Sequence, residues 1–125
     1  MLQSLRTQWD DCFPSEYEEH QYGLPSSLAA FKRAIAGLRT AFPDFTLSIE
    51  ATVADGDDLW ARMTARGTHL GPFHGFAPTG RSFRITVFDV CRFRDGKIVE
   101  HWGVPDRYAV LHQLGLIEGS LPGRA

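Results

Sequence analysis

The stretch "FRITVFDVCRFRDGKIVEHWGVPD", residues 83–106, decides the fold. Two runs rich in β-branched and aromatic residues flank Asp95-Gly96, the strongest short-range hairpin signal. Alternation along the first run puts Val87, Asp89 and Cys91 on one face and Phe88 and Val90 on the other. The second run must fold back antiparallel to it. Its end is unusually polar, with Glu100, His101 and Asp106 gathered around Trp102. A strand needed only for packing has no use for so many polar groups. His101 and Trp102 point to opposite faces, so either His101, or Glu100 with Trp102, looks inward.

Upstream, "FTLSIEATVA" (45–54) alternates through Phe45, Leu47 and Ile49. "DGDD" (55–58) turns it into a second strand, "LWARMTARGTH" (59–69). "LGPFHGFAPTGRS" (70–82) is rich in Gly and Pro and reads as a loop, with His74 and Phe76 placed to cover a pocket mouth. Before the strands the period is helical. In residues 24–42, Leu28, Phe31, Ile35, Leu38 and Phe42 recur at three- and four-residue steps, with Pro25 in the first turn and Pro43 as the stop. "SEYEEHQYG" (15–23) reads as an edge strand or loop, and residues 2–13 as a short helix ended by Pro14. Residues 107–114 form a last short helix, with Asp106 as N-cap and Gly115 past its end. The expectation is an α+β fold: a curved antiparallel sheet of about four long strands, wrapped around helices with a central pocket. One domain, residues 1–125, is expected from the length.

The bulk numbers narrow the function. The net charge is −2 and like charges do not cluster, so neither nucleic acid nor an anionic membrane is an expected partner. No apolar stretch approaches the roughly 20 residues of a membrane span. Residues 1–14 lack an apolar signal core, and Cys12 and Cys91 are far apart, so a reduced cytoplasmic protein is expected. The histidines have no zinc spacing, no serine or cysteine sits in an elbow motif, and no glycine loop is built for phosphate. What remains is acid/base chemistry without cofactor or metal.

"GTHLGPFHGFAPTGR" (67–81) followed by "RFRDGKIVEHWGVPDRYAVLHQLGL" (92–116) resembles the SnoaL-like polyketide cyclases, or ester cyclases. These share a cone-shaped (NTF2-like, cystatin-like) fold with nuclear transport factor 2, scytalone dehydratase and ketosteroid isomerase. The resemblance spans roughly residues 17–117. It implies an enzyme that binds a small, mostly apolar carbonyl compound, shifts a proton at carbon and closes a ring by an intramolecular aldol step. It favours His101 inside and Trp102 outside, in a dimer contact; in the other register Trp102 binds substrate. It makes His20 or Asp106 the base, and Asp89 or His101 the group that holds the enolate oxygen, Asp89 as a neutral donor. His74, Phe76 and Phe31 would line the pocket. A homodimer is expected, because Phe88, Val90 and Trp102 would leave an apolar outer face. Two departures stand out. The N-terminal helix is shorter than usual, and Gly103 stands where some members carry an aspartate. Both favour the alternative of a ligand-binding or dimerisation module without turnover. An isomerase, dehydratase or epoxide hydrolase on the same scaffold is the other rival.

Overall fold

The computed structural model describes residues 13–14, 17–23 and 27–118. The short helix expected over residues 2–13 falls almost wholly outside them, as does Pro25. The elements are β1 (Glu18–Glu19), α1 (Leu28–Ala41), β2 (Thr46–Asp55), β3 (Asp58–Thr68), β4 (Ser82–Arg94), β5 (Lys97–Pro105) and α2 (Arg107–Gln113). The sheet runs β1-β5-β4-β3-β2. The four long strands form an antiparallel meander, and β1 pairs parallel to β5 at its edge. The polar stretch 15–23 therefore does contribute an edge strand, only two residues long.

The β4–β5 turn has positive φ at both Asp95 and Gly96, the twist that matches antiparallel strands. Pairing is interrupted once along this hairpin. Arg92 faces Glu100 but Phe93 faces Ile98, leaving Val99 as an extra residue on β5. Such a bulge bends and twists the strand. Beyond it the alternation is regular, with Cys91 opposite His101 and Asp89 opposite Gly103.

Helix α1 starts where Ser27 Oγ accepts from Ala30 N–H at 3.0 Å. Phe42, just past its end, is fully buried and packs edge-on against Phe83, with ring centroids 4.8 Å apart. Met63, Ala65, Ile85 and Val87 from the inner sheet face join them, with Val110 and Leu114 from the last helical segment. Helix α2 is clamped to the sheet by Gln113, whose amide bonds both backbone groups of Arg84, at 2.7 and 3.0 Å. Leu47 and Ile49 of β2 lie in register with Ala65 and Met63, yet they are exposed. Among the described residues nothing covers that end of the inner face.

The loop 69–81 is tied down. His69 is wholly buried, exchanges backbone bonds with Arg81 and Gly80, and accepts from Thr79 N–H at Nδ1. Leu70 and Gly71 N–H both bond Ala41 O at 3.0 Å.

Candidate active site

Among the described residues, the inner face of the sheet carries a cluster of buried ionisable groups. Past the bulge, His101 points inward beside Asp89, and its Nε2 lies 3.0 Å from Asp89 Oδ2. Its Nδ1 lies 2.9 and 2.8 Å from the two carboxylate oxygens of Glu19. Glu19 also accepts from Gln21 N–H at 3.0 Å and from the Tyr17 hydroxyl. Tyr17, Glu19 and His101 are buried, and the Asp89 side chain keeps 21% of its surface open. One imidazole thus stands between two carboxylates, with only Asp89 reachable from solvent.

The charges follow from that arrangement. Burial works against a charged His101, but the hydrogen bonds to Asp89 and Glu19 outweigh it and lift its pKa to about 9. Burial likewise opposes ionisation of Glu19. The bonds from His101 and Tyr17 overcome this and hold the carboxyl below its usual range. Burial, followed by the bond to Glu19, pushes the Tyr17 phenol far up. Cys91, beside Asp89, is raised to about 11 by burial and the neighbouring carboxylates, so it stays a thiol at neutral pH. The cluster is an imidazolium with two carboxylates.

Aromatic rings close one side. Phe31 of α1 lies 5.5 Å from the His101 ring and 6.0 Å from Tyr17, and Phe13 meets Tyr17 edge-on at 4.9 Å. On the other side Gly103 leaves space that the site needs. A Cβ there would come within 2.7 Å of Gln21 Oε1, 2.9 Å of His101 Cε1 and 3.1 Å of Asp89 Oδ1. Any side chain at 103 would press on the Asp89–His101 pair. A cleft of about 270 Å³ opens beside Gly103, between Gln21, Trp102, Pro105 and Arg107. A larger one, about 670 Å³, lies around Arg66, Thr68 and Arg84 on the outer side of β3 and β4, away from these groups. The buried ionisable cluster, not cleft size, identifies the candidate site.

The other expected site residues fall elsewhere. His20 leaves β1 on the opposite side from Glu19. It stacks on Trp102 (4.7 Å, 13°), and its Nε2 lies 2.8 Å from Glu100. Arg92 lies over the same tryptophan at 5.3 Å and bridges Asp58 and Glu100, at 3.0 and 2.9 Å. His20 and Trp102 therefore belong to an outer network that borders the cleft beside Gly103, with no described contact to Asp89. Asp106 is exposed and accepts from Ala109 N–H at 3.1 Å, the N-cap of α2. His74 and Phe76 are exposed on the tethered loop, and no described contact links them to His101. Glu19 and Tyr17 were not legible as site residues. The available signal was parity: in "YEEH", Tyr17 and Glu19 share a face that Glu18 and His20 do not.

A family model described as SnoaL-like polyketide cyclase matches residues 3–114. The aklanonic acid methyl ester cyclase AcmA of Streptomyces galilaeus is 42% identical over 59 residues. That match covers 47% of this chain and 41% of the cyclase, so the chain spans well under two thirds of its length. Among solved structures, IdmH of Streptomyces antibioticus, a candidate polyketide cyclase, superposes with a TM-score of 0.80 at 31% identity, covering 90% of this chain and 88% of its own. AclR of Streptomyces galilaeus, a candidate hydroxylase, gives 0.79 at 29% identity, with 92% and 90% covered.

Proposed function

Since the chain belongs to the SnoaL-like polyketide cyclase family, we propose that it is a cyclase that needs no cofactor, with Asp89 as its acid–base group and His101 as the fixed cation behind it. The observation that carries this is the partly open Asp89 carboxylate backed by a doubly hydrogen-bonded imidazolium. Both ring nitrogens of His101 donate, so the ring has no lone pair with which to act as base. Asp89 Oδ2 is occupied by His101, while Oδ1 faces the space above Gly103.

The substrate is a small, mostly apolar ester carrying a second carbonyl. Asp89 Oδ1 takes the proton α to one carbonyl. The C–H electron pair moves into the enolate, whose negative charge forms close to the imidazolium. The enolate carbon attacks the second carbonyl and forms the C–C bond. The resulting alkoxide takes the proton back from Asp89. Atoms and electrons balance within one molecule, so the scheme calls for neither an oxidant nor a co-reactant. The cleft beside Gly103, walled by Trp102 and Pro105, suits a flat, apolar chain held folded for closure.

Aklanonic acid methyl ester, named for the related cyclase, is the first probe. The full-length protein is expected to cyclise it or a shorter polyketide ester. Asp89→Ala should cut the rate by about 10²–10⁴. Equal rates for variant and parent would remove Asp89 from the reaction.

A further inference from the structure

We infer that Glu19 is a positioning residue, which keeps His101 doubly protonated and turns its Nε2–H onto Asp89; this rests on the acid–base reading above. Glu19 is 3% exposed and accepts from His101 Nδ1, from Gln21 N–H and from the Tyr17 hydroxyl. A merely structural role would be to hold β1 on the sheet. That task is already met by backbone: Glu18 and Glu19 pair with Glu100 and His101, and His20 N–H bonds His101 O at 2.9 Å. Burying a carboxylate is costly, and a well-packed apolar residue usually serves packing as well or better. What a carboxylate adds at this position is an acceptor and a charge behind Nδ1.

The consequence is chemical. Asp89 alone behind Nε2 would leave the opposite nitrogen free to lose its proton. With Glu19 on Nδ1, either deprotonation breaks a charge-assisted bond. Among the described residues, the two carboxylates facing the ring pull the same way. Glu19 approaches from the β1 side with Tyr17 behind it, Asp89 from β4 with Cys91 beside it, and α1 presents the Phe31 ring. On the far side of Glu19 the Tyr17 hydroxyl donates to the same carboxylate.

Glu19→Gln tests this in the full-length protein. It keeps the side-chain size and an acceptor for Nδ1–H but removes the charge. Nitrogen-15 NMR of the His101 ring should show both nitrogens protonated in the parent at pH 7, with the second proton lost near pH 9. In the variant that loss should come about one pH unit lower or more. The alkaline limb of kcat/KM should move with it, while KM changes little. Glu19→Asp retains the charge on a shorter arm and should recover at least half of the shift; it also serves if the glutamine variant fails to fold. A His101 titration within about 0.3 unit of the parent in both variants overturns the role of Glu19. The NMR reading needs no turnover. A shifted titration in a protein whose parent cyclises nothing would sink the acid–base reading and leave Glu19's hold on the ring intact.

Discussion

At the residue scale, the fold exploits parity. Asp89 was legible because it lies on a long strand whose apolar neighbours fix the face, whereas the residues left open whether His101, or Glu100 with Trp102, looks inward. Val87 and Cys91 flank Asp89 on the inner side, and Cys91 faces His101. Glu19 was not legible because β1 has two residues and no apolar pattern. Its parity is set only by parallel pairing with β5, a contact 82 residues away in sequence. The same parity carried His20 out to Trp102. These charges make stability depend on pH. His101 has a folded pKa of about 9 against an ordinary 6.5. It binds its proton more tightly when folded, so its contribution is fully present below about 6.5 and is lost as pH rises through about 9. The size is on the order of 3 kcal/mol. Glu19 is shifted down, so its share is present above its ordinary 4.5 and is lost as pH falls below it. The two shifts describe one interaction from either end and do not add. Urea midpoints should therefore fall steadily between pH 7 and 9 in the parent, and much less in His101→Ala. A parallel fall in both would place the pH dependence elsewhere.

At the element scale, the turns and caps were legible because their chemistry is local. Asp95-Gly96 and Asp106 each act within a few residues of their own position, whereas the Ser27 cap starts α1 later than a first-turn Pro25 implies. The bulge at Val99 was not, since nothing in "KIVEH" marks which residue goes unpaired. Without it, the two-residue turn would pair Cys91 with Glu100 and Asp89 with Trp102, and His101 would face outward with Val90. Asp106 offers a clean separation of roles. As a pocket carboxylate it would be needed for turnover; as the cap of α2 it bonds Ala109 N–H and lies exposed. Asp106→Ala should cost about 1 kcal/mol, or roughly 4 °C in Tm, with kcat/KM within about twofold of the parent. A large loss of turnover without loss of stability would return Asp106 to the site.

At the scale of the whole molecule, the order of helix and meander was visible in the switch from helical to alternating period. What covers each sheet face was not, because a pattern names a face without naming its partner. The outer face carries Val53, Trp60, Phe88 and Val104, each more than half exposed. Val53 pairs with Trp60, and Phe88 with Val104, so the band crosses the four long strands. A second copy of the chain is the expected cover. Sedimentation should give twice the chain mass at micromolar concentration, and Phe88→Lys with Val104→Lys should give a monomer; a monomeric parent would contradict this. The account as a whole rests on Asp89 as the proton carrier. Its most direct test is the rate at which deuterium from D₂O enters the carbon α to the carbonyl of a polyketide ester, comparing the parent with Asp89→Asn, whose size and shape match. The account predicts fast exchange in the parent and a loss of about 10²-fold or more in the variant, with the His101 ring still ordered by NMR. Exchange in Asp89→Asn within a few-fold of the parent would contradict it.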